Sequence, residues 1–112
     1  SDWQYMYKQS ANGKFAITNG SLGKGVYLVD KISAPTAEMK VIKQEVNLSR
    51  MATLDDISSL VGKTVTEKDL KTIPTNVRDL IYSQLQDKKF LGIKLDGKAM
   101  LFPESAPVKK GK

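Results

Sequence analysis

Neither cysteine nor histidine occurs among the 112 residues. Without thiols there is no disulfide framework and no thiolate nucleophile, and without imidazole there is no histidine general base. Both absences together remove every zinc site of the Cys/His type. Long apolar runs are missing too: the longest is a few residues, far short of the roughly 20 that a membrane-crossing helix requires, so no span is expected. Asp2, Gln4 and Lys8 interrupt any apolar leader at the start, and a cytoplasmic setting is the expectation. Clustered carboxylates are confined to Asp55-Asp56 and to Glu67 with Asp69. Both sets fall where first helical turns are predicted, positions at which carboxylates cap amides and complement the helix dipole. Neither set has the spacing of a metal site or of an acid/base pair. The sequence therefore predicts no catalytic residue, no metal and no cofactor.

What is present is basic. Lys and Arg number 18 against 12 Asp and Glu, a formal net charge of +6. Such a balance favours acidic partners, nucleic acid among them. Residues 1–50 carry seven basic against four acidic residues, residues 51–102 eight against seven, and residues 103–112 three against one. The middle segment is thus close to neutral.

Three stretches are distinguished by texture: an antiparallel β-sheet region at 1–50, a helical region with a C-terminal hairpin at 51–102, and a basic tail at 103–112 that lacks periodicity and reads as disordered. In the first, Trp3, Tyr5 and Tyr7 alternate with Gln4, Met6 and Lys8, the period of a strand. Asn12-Gly13 then suggests a turn leading into a partner strand over Lys14 to Thr18. The aromatic row suits either base stacking or core packing, and packing is the commoner use of such a row. Asn19 to Gly25 is the most glycine-dense segment. Its spacing is too short for a phosphate-binding loop, so it reads as a connection between strands. Val26 to Val29 reads as a buried strand, and Met39 to Leu48 as another with Ile42, Val46 and Leu48 on one face.

Local signals sharpen after residue 50. Thr53 with Asp56 suggests a reciprocally capped helix carrying Leu54, Ile57, Leu60 and Val61 and stopped by Gly62. Thr66 with Asp69 repeats the pattern for a shorter helix ended by Pro74. A third helix follows, capped by Thr75 or Asn76, with Val77, Leu80, Ile81 and Leu85 as its apolar stripe. Asp96-Gly97 then predicts a two-residue turn with positive φ at both central positions. That turn pairs Leu95 with Lys98, Ile93 with Met100 and Leu91 with Phe102, placing Leu91, Ile93, Leu95, Met100 and Phe102 on one face against the helix.

Helix, short helix, turn, longer helix and hairpin, from Thr53 to Phe102, resembles the winged helix-turn-helix family. Within the glycine segment, Gly23-Lys24-Gly25-Val26-Tyr27 resembles the G-K-G-[VI]-Y patch of ADP-ribosyltransferases, but the histidine those enzymes use has no counterpart in this chain. The winged-helix resemblance implies an α+β fold in which a small N-terminal antiparallel sheet precedes a three-helix and hairpin unit. It also implies that Asn76, Arg78, Tyr82 and Gln86 face a nucleic-acid groove while Lys94 and Lys98 face phosphate. Lys14 and Lys24 add positive charge from the first half. The function so implied is a non-enzymatic nucleic-acid-binding or transcription/replication accessory module; the alternative is a protein-interaction or assembly domain. On this reading Arg78→Ala weakens nucleic-acid binding and leaves thermal stability unchanged.

Overall fold

The computed structural model describes residues 3–10, 12–13, 15–32 and 40–105. It is a mixed α+β fold of seven strands and three helices: β1 (Trp3–Ser10), β2 (Thr18–Gly20), β3 (Gly23–Val29), β4 (Lys40–Asn47), β5 (Met51–Ala52), α1 (Leu54–Val61), α2 (Glu67–Thr72), α3 (Thr75–Asp87), β6 (Gly92–Leu95) and β7 (Lys98–Leu101). The sheet runs in the order β4-β1-β3-β7-β6-β5, with β2 paired to β3. All pairings are antiparallel except β5 with β6.

Strands from both halves of the sequence share this sheet. β3 pairs with β7 from Val26↔Leu101 to Val29↔Lys98, so the hairpin that the winged-helix resemblance makes the wing lies in the middle of the sheet. The small N-terminal sheet continues directly into it. Nor does β1 pair with 15–18, the described part of the partner strand expected over Lys14 to Thr18. Its partners are β3, at Tyr7↔Val29, and β4, along eight consecutive positions from Trp3↔Asn47 to Ser10↔Lys40. Residues 15–17 are irregular, and Thr18–Gly20 turns back onto β3 through Ser21-Leu22. The glycine-dense segment is therefore a tight hairpin, with Leu22 buried at its tip.

Each face of the sheet carries a core. On one side Ile93, Leu95, Met100 and Phe102 pack with Ile57, Leu70, Ile81, Tyr82 and Leu85 from the three helices. On the other, Val26, Leu28, Ala99 and Leu101 pack with Met6 and Val46 from the β1–β4 ribbon and with Met51. Leu91 joins this second cluster, which separates it from the face predicted for it. The Tyr82 and Phe102 rings lie 5.1 Å apart at 40°, a tilted pairing worth about 0.5–1.5 kcal/mol beyond the area buried.

The helix ends follow the local signals. Thr53 and Asp56 form a reciprocal capping box, as do Thr66 and Asp69, and Gly62 takes the left-handed C-cap at φ 89°. α3 departs from expectation at its start: Pro74 is the N-cap and no side chain caps the helix. At its end the Phe90 amide donates to the Leu85 carbonyl and the Lys89 amide to that of Gln86, a Schellman closure with Lys89 in the glycine-favouring position at φ 75°. The β6–β7 register is the predicted one, Leu95↔Lys98 and Ile93↔Met100. Its turn needs positive φ only at Gly97, since Asp96 is not in that region; a type II geometry has this pattern. Pro103–Ser105, read as the start of a disordered tail, forms a single 3-10 turn, and the rest of the tail lies outside the described residues.

Candidate nucleic-acid interface

The residues expected to read a groove are divided by the rotation of α3. Its buried stripe is Ile81, Tyr82 and Leu85, with Arg78 half-buried beside them, while Val77 and Leu80 are 42% and 60% exposed. Tyr82 donates its hydroxyl to the Leu22 carbonyl at 2.8 Å. Arg78 Nη1 donates to the carbonyls of Ser21, at 3.3 Å, and Leu70, at 3.2 Å. Its buried Nε has no hydrogen-bond partner among the described residues. Both side chains thus face inward and tie α3 to the β2–β3 hairpin.

Close packing around the hairpin accounts for Gly20 and Gly23, the second of them against the α3 tie itself. A Cβ on Gly20 would lie 2.7 Å from the Tyr27 ring, and one on Gly23 would lie 3.3 Å from the Arg78 guanidinium. Gly23 also holds φ at +100°, which an L side chain adopts only with strain. The Tyr27 hydroxyl accepts from the Leu22 amide at 3.0 Å and donates to the Gly23 carbonyl. Burial raises the pKa of both tyrosines above the ordinary 10.0, so each phenol is neutral and remains a donor.

The other expected contacts are dispersed. Asn76 is exposed on α3. Gln86 donates to Glu104 at 2.8 Å. Lys24 is exposed at the rim of a cleft of about 220 Å³ lined also by Asp79, Tyr82, Gln86 and Glu104, where the carboxylates offset its charge. Lys98 pairs with Glu67 at 2.8 Å; this hydrogen bond is the first cause holding the Glu67 pKa below its ordinary value. The pairings Lys94↔Ala99 and Leu95↔Lys98 put Lys94 and Lys98 on opposite faces of the sheet, so they cannot address one phosphate backbone together. Lys14 lies outside the described residues.

The exposed feature that sequence reasoning assigned to packing is the β1–β4 ribbon. Met6 is 2% exposed and turns into the second core, whereas Trp3 and Tyr5 on the opposite face are 54% and 49% exposed. Tyr7, half-buried, continues the same face. Their cross-strand neighbours are Asn47, Glu45 and Lys43 in turn, and Lys43 Nζ lies 4.6 Å from the centroid of the Tyr5 ring. Alternation in the sequence identifies two faces but does not say which is covered; the apolar Met6 was the available signal. Ring-bearing positions two apart on a strand are separated by about 6.6–6.8 Å. A row of exposed rings at that step, with an ammonium over one of them, can stack planar groups and attract a neighbouring anion.

Comparison with known proteins finds no match to this chain among family models, curated sequences or solved structures.

Proposed function

We propose that this domain is a non-enzymatic nucleic-acid-binding module that takes a single strand across the outer face of β1 and β4. The observation carrying the proposal is the exposure of Trp3 and Tyr5 on a strand whose alternate residue, Met6, is buried. Stacking on aromatic side chains contributes about 1–3 kcal/mol per base and tolerates any sequence. Trp3 and Tyr5 are the stacking residues in this reading, Tyr7 extends the row, and Lys43 approaches phosphate. The net charge of +6 supplies a sequence-independent attraction.

The winged-helix reading, with α3 in a duplex groove, is the weaker form of the same function. Arg78 and Tyr82 are occupied within the fold, and the exposed side of α3 presents Asn76, Val77, Asp79 and Leu80. Exposed Val77 and Leu80 favour the second reading, a protein-docking role for that helix.

Trp3 is the only tryptophan, so its fluorescence reports stacking directly. Titration with an oligothymidylate should quench it, and a duplex of equal length should quench it less. Trp3→Ala and Tyr5→Ala should each weaken single-strand binding by roughly 5- to 150-fold, the range that 1–3 kcal/mol spans. With Lys43 the principal cation on the face, the salt slope should be shallow, about 0.7 per phosphate contacted. An unquenched Trp3 at oligonucleotide concentrations of about 100 µM, the weak end of non-specific binding, would sink the reading.

A further inference from the structure

β4 ends the sheet on one side, and among the described residues no strand pairs with its outer edge. The opposite end is blunted, because β5 is only two residues long. β4 is different: eight residues in unbroken one-to-one register with β1, without a bulge. A long regular edge of that kind offers a row of backbone donors and acceptors to another strand, and folds usually shorten, bulge, charge or cover such an edge unless it is used; the exposed charges on β4 are of both signs, Lys40 and Lys43 with Glu45.

The side chains of β4 say what could use it. In Val41-Ile42-Lys43-Gln44-Glu45-Val46-Asn47 the pattern is self-complementary about Gln44. Antiparallel pairing of two copies about a two-fold axis at Gln44 sets Lys43 opposite Glu45 of the second copy, and Glu45 opposite its Lys43. The same register sets Ile42 opposite Val46 twice. Lys43 and Glu45 share the solvent face with Trp3 and Tyr5, whereas Ile42 and Val46 share the face that turns toward the second core. Opposite charges directly across a ladder attract and apolar pairs pack, so one register satisfies both faces. Shifting by one residue places each apolar side chain on the wrong face.

We infer that the outer edge of β4 is a homodimer contact, the second copy adding its own β4 antiparallel about Gln44 to make one continuous sheet. Two β1–β4 aromatic faces then lie side by side. The inference does not rest on nucleic-acid binding, and its test contains no nucleic acid.

Light scattering of the full chain across concentration should show a monomer–dimer equilibrium. Lys43→Glu and Glu45→Lys each turn both attractive pairs into like-charge pairs and should weaken association roughly tenfold or more. The double variant Lys43→Glu/Glu45→Lys restores complementarity with the charges exchanged and should recover association to within a few-fold. Because the chain has no cysteine, Gln44→Cys introduces a single thiol that faces its own copy across the axis, within the Cα separation a disulfide spans. Oxidation should cross-link it. Lys40→Cys, whose two copies lie about 27 Å apart in this register, should not cross-link. A chain that stays monomeric at all concentrations, a double variant as weak as the single ones, or equal cross-linking at positions 40 and 44 would each overturn the inference.

Discussion

The hydroxyl of Tyr82 in α3 donates to the carbonyl of Leu22, sixty residues earlier, across 2.8 Å of buried space. It is the contact that converts a helix and a distant hairpin tip into one packed unit. Arg78, one turn earlier on α3, adds hydrogen bonds to the Ser21 and Leu70 carbonyls. Removing the hydroxyl leaves the Leu22 carbonyl buried without this donor, a loss of about 1–3 kcal/mol. Tyr82→Phe should lower the unfolding free energy by that amount in urea with the slope unchanged, since the ring still packs on Phe102.

The same phenol shapes the alkaline limb of stability. Burial raises its folded pKa above the unfolded value of 10.0. A raised folded pKa means a contribution fully present below pH 10 and lost as pH rises beyond it toward the folded pKa. Tyr27, raised for the same first cause, acts in the same direction. Tyr82→Phe should therefore flatten the decline in melting temperature above pH 10, and an unchanged alkaline slope would show that the phenol is not desolvated.

Arg78 reverses the expectation drawn from its place on the helix. Its guanidinium lies against Gly23 and spans two carbonyls, so Arg78→Ala should cost about 1–3 kcal/mol of stability. The effect on single-strand binding should be small by comparison. Arg78→Lys should recover little, because the lysine ammonium ends one bond short of Nη1, the single nitrogen that donates to both carbonyls. Thermal melts of the two variants, set beside Trp3 quenching, separate the structural role from the binding one.

Much of this fold was legible where its determinants are close in sequence. The two capping boxes each span four residues, and Gly62 and Gly97 act through their own backbone angles, so local chemistry sufficed there, although Asp96 does not take the positive φ expected of it. The orientation of α3 was not legible for a physical reason. The stripes Val77-Leu80-Ile81 and Arg78-Ile81-Tyr82-Leu85 both have helical spacing, and the choice depends on carbonyls of Ser21 and Leu22 that the third helix meets only in the folded chain. Strand partners were hidden likewise. Nothing near Tyr7 or Val26 indicates that β1 will choose β4 or that β3 will choose β7, and those pairings decide which aromatic side chains remain exposed.

The acid limb should depend on Asp69. Its carboxylate accepts the Thr66 amide at 2.9 Å, and that hydrogen bond, the first of its causes, lowers its pKa below the ordinary 3.8. A depressed folded pKa means stability present above the ordinary carboxylate range and lost as pH falls through the folded value. Asp69→Asn keeps an acceptor oxygen but has no proton to gain. Its melting temperature should fall less steeply than that of the parent below about pH 4, the upper edge of the ordinary Asp range. Parallel curves would assign the acid sensitivity to other groups.

Lys89 marks the one position where a substitution should strengthen the fold without touching a core. It is the only described non-glycine residue with positive φ, at 75°, and it closes α3 in the place where glycine is commonest. A left-handed conformation costs an L residue about 1–2 kcal/mol. Glycine removes that strain, while its freer unfolded chain takes back about 0.5–1 kcal/mol. The carbonyl that accepts from Arg50 Nε and Nη2, at 3.3 and 3.2 Å, belongs to the backbone and is retained. Lys89→Gly should therefore raise the unfolding free energy by about 0.5–1 kcal/mol, the difference between those two effects. Chemical denaturation reads that change as a higher midpoint at constant slope, and a lower midpoint would mean that the Lys89 side chain contributes contacts outweighing its backbone strain.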